Sequence, residues 1–365
     1  MSIRDLIIIG AGPSGLSAAI AAKQRGLDYQ VLEQGVLVDS IYRFPPQMVF
    51  FTTPELLEIG GLPFVSPFDK PTKPEALRYY RKVADTYDLQ IAFDERVLAV
   101  ERESDEQVFG VSTKSGKGVR RVRHARNVVF AIGYFDHPNL LGVPGEDLPH
   151  VHHYYGDPHQ HYRQRVVIVG GGNSAAEWAL QLYRSGAHVT LVHRHAALKR
   201  TIKYWVRPDI ENRIKEGSIR ARFSASLTEI RPTSVLVQAL PEAAAAAEDE
   251  AARARELAAD ADASHAPASV VAPAETGGVP SIEEIPADAV YLLTGYRADT
   301  DLMCRAGIRL TERHGPVYDP KTFETNVPGL FVAGGAVAGI DTGTIFIENG
   351  RFHGETIVEE IARRV

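Results

Sequence analysis

The chain has one cysteine, Cys304, in 365 residues. A single thiol cannot close an internal disulfide, supply a CxxC redox pair or build a thiolate metal cage. Long apolar runs are missing too. The first, "LIII", is broken by Gly10 after four residues and is too short for a membrane span. It does not form the pattern of a charged region followed by a long apolar region and a cleavage site, so a cytoplasmic protein is expected. Basic excess is also lacking: the net charge of −6 gives no reason to expect nucleic acid or an anionic membrane as partner.

What is present is a repeated pattern. "RDLIIIGAGPSGLSAAIAAKQRGLDYQVLEQ" (4–34) and "RVVIVGGGNSAAEWALQLYRSGAHVTLVHR" (165–194) match element for element. Each has a β-branched apolar strand, a glycine turn, an alanine-rich helix closed by glycine (Gly26, Gly186) and a second strand. These are two Rossmann-type βαβ units, and the pair in register says more than either glycine fingerprint alone. The fold class expected is therefore α/β, with two Rossmann-like dinucleotide-binding domains.

Strand-to-glycine segments at 128–138 ("VVFAIGYFDHP") and 289–299 ("AVYLLTGYRAD") bracket the second unit, and "GLFVAGGAVAG" (329–339) reads as a returning strand. The simplest topology inserts the second domain into the first, dividing the chain into 1–150, 156–293 and 297–365. Residues 75–89 read as an amphipathic helix, and 152–163, with His152, His153, His159 and His161, as a polar linker rather than a metal site. Residues 241–285 change composition, from alanine and charge to Pro, Ala, Ser and Gly, which cannot bury a core. They are expected to be an exposed insertion, either a dispensable surface excursion or a partner-binding segment.

In the first unit Gly10 allows the tight turn, Gly12 lets a pyrophosphate approach, and Gly15 lets helix and strand pack closely. Pro13 and Ser14 lie at the start of the helix, whose free N–H groups face the anion. Glu33 ends the second strand, where a carboxylate accepts from ribose hydroxyls and repels a 2′-phosphate. This site suits FAD or NAD rather than NADP, with Gln34, Tyr42, Val97, Ala131, Gly133, Gly334, Thr344 and Ile345 completing the candidate set for FAD. Tyr42, Phe44 and Phe51 either wall the flavin ring or are core aromatics.

In the second unit Gly170, Gly172 and Ala175 take the corresponding places, with Asn173 and Ser174 opening the helix. His193, Arg194, Lys199 and Arg200 stand where the first unit has Glu33. Basic groups there pair with a 2′-phosphate, so NADPH is expected. One acidic-ended and one basic-ended site together imply a flavoprotein that takes hydride from NADPH.

Further runs carry a family resemblance: "SIYRFPPQMVFFTTPELLEIG", "GYFDHPNLLGVPGEDLPHVHHYY", "GGGNSAAEWALQLYRSGAHVTLVHR", "IKYWVRPDIENRI" and "TIFIENGRFHGE". The chain resembles the thioredoxin-reductase-like flavoproteins, and within them the bacillithiol-disulfide reductase family. The resemblance implies an NADPH-dependent FAD enzyme that reduces a small-molecule disulfide, most closely bacillithiol disulfide, in the bacterial cytoplasm. It further implies a homodimer or homotetramer, and domain rotation about hinges near 140–156 and 293–300.

Three departures matter. No cysteine pair stands in "GGGNSAAEW"; Gly335 follows Gly334 where thioredoxin reductases have aspartate; and Ser14 stands where this family commonly has cysteine. A hydroxyl cannot replace a thiolate in attack on a disulfide. Ser14 is expected instead to donate to a pyrophosphate oxygen, and the catalytic residue is left unknown. Cys304 reads as a buried structural cysteine, His137 as a turn residue and Trp205 as interdomain packing. A ferredoxin- or quinone-type reductase, a flavin monooxygenase and a flavin-binding redox sensor stay open as alternatives.

Overall fold

A computed structural model describes residues 2–103, 108–240, 281–339 and 345–364. The chain forms two compact units, residues 1–137 with 296–365, and residues 138–295. The first crossing falls ahead of the boundary near 150 expected from the sequence, because residues after 138 run with the second unit. The Asn139 carbonyl accepts from the Thr294 hydroxyl at 2.7 Å, and Val151–His152 pairs with Ala289–Leu292.

The first unit is built on strand Ile3–Ile9, whose Leu6, Ile7 and Ile8 are fully buried. It lies parallel between Tyr29–Leu32 and the long strand Arg120–Phe130. The far side of Arg120–Phe130 is shared by two strands. Phe109–Lys114 pairs antiparallel with its first half, and Leu330–Val332 pairs parallel with Val128–Phe130. The returning strand read at 329–339 thus closes on the sheet of the first unit.

Helix Pro13–Gln24 buries a run of small residues, Ala18, Ala19, Ala21 and Ala22, beneath the last helix, His353–Ala362. The amphipathic helix expected at 75–89 runs from Lys73 to Thr86, started by a capping box in which Glu75 accepts from the Thr72 N–H at 2.8 Å. It buries Ala76, Tyr79, Tyr80 and Val83, the i, i+3, i+4, i+7 stripe of a one-sided helix.

In the second unit a parallel sheet has the order Arg220–Arg222, His188–Val192, Arg165–Val169, Ala289–Leu292, Val151–His152. Helix Asn173–Arg184 buries Trp178 completely, with Tyr155 and Tyr291 against its ring. A smaller antiparallel sheet joins Ala225–Arg231, Ser234–Ala239 and Ile282–Pro286. The stretch set apart by composition therefore ends earlier than 285, since 282–286 belong to this sheet, and residues 241–280 lie outside the described residues. Of the linker histidines, His161 is buried, bonded through Nε2 to the Tyr291 hydroxyl at 2.7 Å and through Nδ1 to Gln164 at 2.8 Å. Among the described residues no helix is long and apolar enough to cross a membrane.

Candidate functional site

The turn at residues 10–15 is crowded on one side and open on the other. Gly10 has φ +105°, and a Cβ on it would run into the Ala131 carbonyl oxygen. Gly15 is crossed as closely by the Gly10 carbonyl, so helix and strand meet without side chains between them. Gly12 is the opposite case: nothing lies within 4 Å of the place its Cβ would take. The open side of the turn is thus at the N-terminus of helix Pro13–Gln24, which no side chain caps and whose first N–H groups have no partner within the helix.

Glu33 follows strand Tyr29–Leu32 and is 5% exposed. Its Oε2 accepts from the Ala11 N–H at 2.8 Å and its Oε1 from the Gly35 N–H at 2.7 Å. Burial pushes its pKa up, and the two backbone N–H groups pull the other way. The residue is therefore fastened to the turn. Beyond it, Gln34 donates to Asp136 at 2.9 Å, and Asp136 also pairs with Arg43.

The other first-unit candidates divide into two groups. Ala131 donates its N–H to Ile9, and Gly133 follows in a left-handed turn (φ +62°) beside Ser40. Val97 is part-buried in strand Arg96–Arg102. Tyr42 and Phe51 are exposed, with Lys73 and Lys70 near their rings, whereas Phe44 packs edge-on against Phe50 and Phe135 and belongs to the core. Ile345 is described; Thr344 lies outside the described residues.

Ser14 is placed differently from the sequence expectation. Its Oγ donates to the Gly350 carbonyl at 3.0 Å and fills the space that a Cβ on Gly334 would need. The hydroxyl is turned to the C-terminal segment, where two glycines, Gly334 and Gly350, leave it room. Gly335, in the position where thioredoxin reductases have aspartate, lies against Tyr134: a Cβ there would be 2.7 Å from the ring.

The sequence reading missed His353. Its Nδ1 accepts the Gly334 N–H at 3.1 Å, and its ring stacks on Phe323 at 4.1 Å. Burial lowers its pKa to about 4, so it holds Gly334 as a neutral acceptor.

In the second unit Gly170 (φ +148°) turns against the Leu293 carbonyl as Gly10 does against Ala131. Ala175 is fully buried where the first unit has Gly15. Gly172 precedes helix Asn173–Arg184, with Lys199 Cδ 3.7 Å from the place its Cβ would take. Arg194, Lys199 and Arg200 are exposed around this turn, while Ser174 is half-buried.

His193 departs from the role of a phosphate-binding cation. It is 5% exposed, and its ring packs directly on Gly171. Burial, then the neighbouring His195, Lys199 and Arg194, lower its pKa to about 3. It is neutral at ordinary pH and brings no charge to an anion. Trp205 packs against the second unit's own core, with Tyr204 edge-on at 4.8 Å.

Two dinucleotide-shaped turns in one chain, one ended by a carboxylate and one surrounded by cations, define an oxidoreductase that couples a flavin to a nicotinamide cofactor. The model of the pyridine nucleotide-disulphide oxidoreductase family matches residues 7–252 and 271–334, and the chain belongs to that family. It is 36% identical over 359 residues to the bacilliredoxin reductase Bdr of Bacillus subtilis, spanning 98% of this chain and 97% of that one. The solved bacillithiol disulfide reductase Bdr of Bacillus cereus is similar at 33% identity, with a TM-score of 0.86 and 100% of both chains covered. The Staphylococcus aureus protein of the same description gives 0.84 at 33%, over 100% of this chain and 99% of that one. Thioredoxin reductase of Lactococcus lactis shares the fold, with a TM-score of 0.70 at 18% identity.

Proposed function

We propose that this enzyme oxidises NADPH and reduces a low-molecular-weight disulfide, bacillithiol disulfide, in the cytoplasm, with FAD in the first unit and NADPH in the second. The observation that carries the cofactor assignment is the contrast at equivalent positions of the two units. Buried Glu33 stands at the first turn, and exposed Arg194, Lys199 and Arg200 surround the second. A carboxylate favours ribose hydroxyls and repels a 2′-phosphate, and guanidinium and ammonium groups do the reverse. The full-length similarity to the Bdr proteins supports the acceptor. A homodimer or homotetramer is the expected assembly.

A flavin held at the first turn would supply the two-electron redox chemistry between nicotinamide and acceptor. The chain supplies position rather than a nucleophile. Gly12 leaves the helix start open to the pyrophosphate, Glu33 fixes the ribose, and His353 holds the Gly334 turn. One NADPH and one proton convert one disulfide into two thiols, with no protein thiol entering the balance.

Anaerobic NADPH oxidation, with flavin absorbance followed with and without bacillithiol disulfide, tests this. Multiple turnovers driven by the disulfide support it. Flavin bleached by NADPH but not reoxidised by the disulfide would leave the cofactor sites standing and remove the substrate.

A further inference from the structure

Asn173 opens helix Asn173–Arg184 immediately after the glycine turn, yet its side chain does not cap that helix. It reaches instead to the segment that carries the cations. Its Nδ2 donates to the Thr201 carbonyl at 2.9 Å, and its Oδ1 accepts the Lys203 N–H at 2.8 Å. One planar amide thus holds two backbone groups two residues apart, which fixes the direction of that segment as well as its distance from the turn.

The same segment is tied down at three further points. The Lys199 N–H donates to the Gly171 carbonyl at 2.9 Å. Ile202 is buried in the core of the second unit. The Lys203 ammonium pairs with Glu177 at 2.6 Å, both side chains largely buried. The cations these anchors leave at the surface of the segment are Lys199, whose stem passes Gly172, and Arg200. The ties at Ile202 and Lys203 hold the segment to the body of the helix and core. The Asn173 amide is the side-chain tie between it and the first residue after the glycine turn, where a dinucleotide phosphate would approach.

We infer that Asn173 is a positioning residue that sets the 199–203 segment against the glycine turn and so establishes selection of the 2′-phosphorylated dinucleotide. The inference rests on the reading of the second unit as the NADPH site. It also changes the part assigned to Asn173 from sequence: both polar ends of its side chain are engaged with protein, so its effect on the ligand passes through Lys199 and Arg200. Direct contact with the pyrophosphate, which NADPH and NADH share, would affect both ligands. Positioning of the cations affects only the ligand that has the extra phosphate.

The test is binding of NADPH and of NADH to the intact holoprotein by calorimetry, in the wild type and in Asn173→Ala, with hydrogen exchange read at the Lys203 amide. Loss of two hydrogen bonds predicts NADPH binding weakened about tenfold, NADH within about twofold of wild type, and faster exchange at Lys203. Should Asn173→Ala fold poorly, Asn173→Ser, too short to span both partners, is expected to give the same pattern. Equal weakening of both dinucleotides, or an unchanged preference, overturns the proposal alone. Equal affinities for NADPH and NADH in the wild type would overturn the NADPH reading itself and the selection with it.

Discussion

Ser14 donates its hydroxyl hydrogen to the carbonyl of Gly350 at 3.0 Å, and three residues on, Ser17 donates to Arg351 at 2.6 Å. The helix that starts at the first glycine turn is thereby bonded to a segment more than three hundred residues away in sequence. Ser14→Ala removes one part-buried hydrogen bond and is expected to lower stability by about 1 kcal/mol in urea titration. Because the hydroxyl is engaged with the Gly350 carbonyl, kcat with the disulfide should stay within about twofold of wild type. A loss of turnover much larger than the loss of stability would show that the hydroxyl takes part in the reaction.

His353 gives the fold a pH dependence of definite sign. In the folded protein its pKa is lowered to about 4, against 6.5 for an ordinary histidine. Between those values the unfolded chain binds a proton that the folded chain does not, so stability is full above pH 6.5 and falls as the pH drops toward 4. His193 acts in the same direction, which makes the comparison with a variant necessary. His353→Asn keeps an acceptor for the Gly334 N–H and removes the titration. Between pH 7 and pH 5 the wild type should lose on the order of 2 kcal/mol more than this variant in denaturant titrations. Parallel losses would place the titration elsewhere.

What could be read in the sequence was what is local. Strand, glycine turn, helix and second strand of each βαβ unit follow from residues within about thirty positions, and both units fold as read. The helix at Lys73–Thr86 was equally open to inspection, through its apolar stripe and its Thr72–Glu75 start. What escaped depends on partners far along the chain. Nothing around Ser14 points to Gly350, nothing around Gly334 to His353, and nothing around Asn173 to Thr201 and Lys203. His193 looked like one cation among four because charge alone was visible, and burial on Gly171 is what neutralises it. The strand Ile282–Pro286 was hidden by the composition of the stretch before it.

Cys304 illustrates the same limit on a smaller scale. Helix Thr300–Arg305 has six residues, too few for periodicity to decide which way each one faces. The structure buries Leu302 and Met303 and leaves Cys304 exposed, correcting the expectation of a buried thiol. A disulfide reagent should therefore modify one thiol per chain in the native protein without denaturant, and Cys304→Ser should abolish that reaction while leaving turnover unchanged. Modification only after unfolding would contradict the placement.

Glu33 and His193 each follow the second strand of their unit, and they use the position in different ways. Glu33 bonds to the N–H of Ala11, the residue between the first two glycines. His193 lays its ring on Gly171, the residue in the same place, and its Nε2 is buried without a hydrogen-bond partner among the described residues. The middle residue of the second turn must then lack a side chain because of the ring. Gly171→Ala is expected to destabilise by about 2 kcal/mol through overpacking. His193→Ala vacates the space the new methyl group needs, so the double variant should be more stable than the two single losses predict, by roughly 1–2 kcal/mol in a double-mutant cycle. Additive losses would mean that the histidine ring does not rest on the turn, and the neutral, buried state assigned to it would have to be given up.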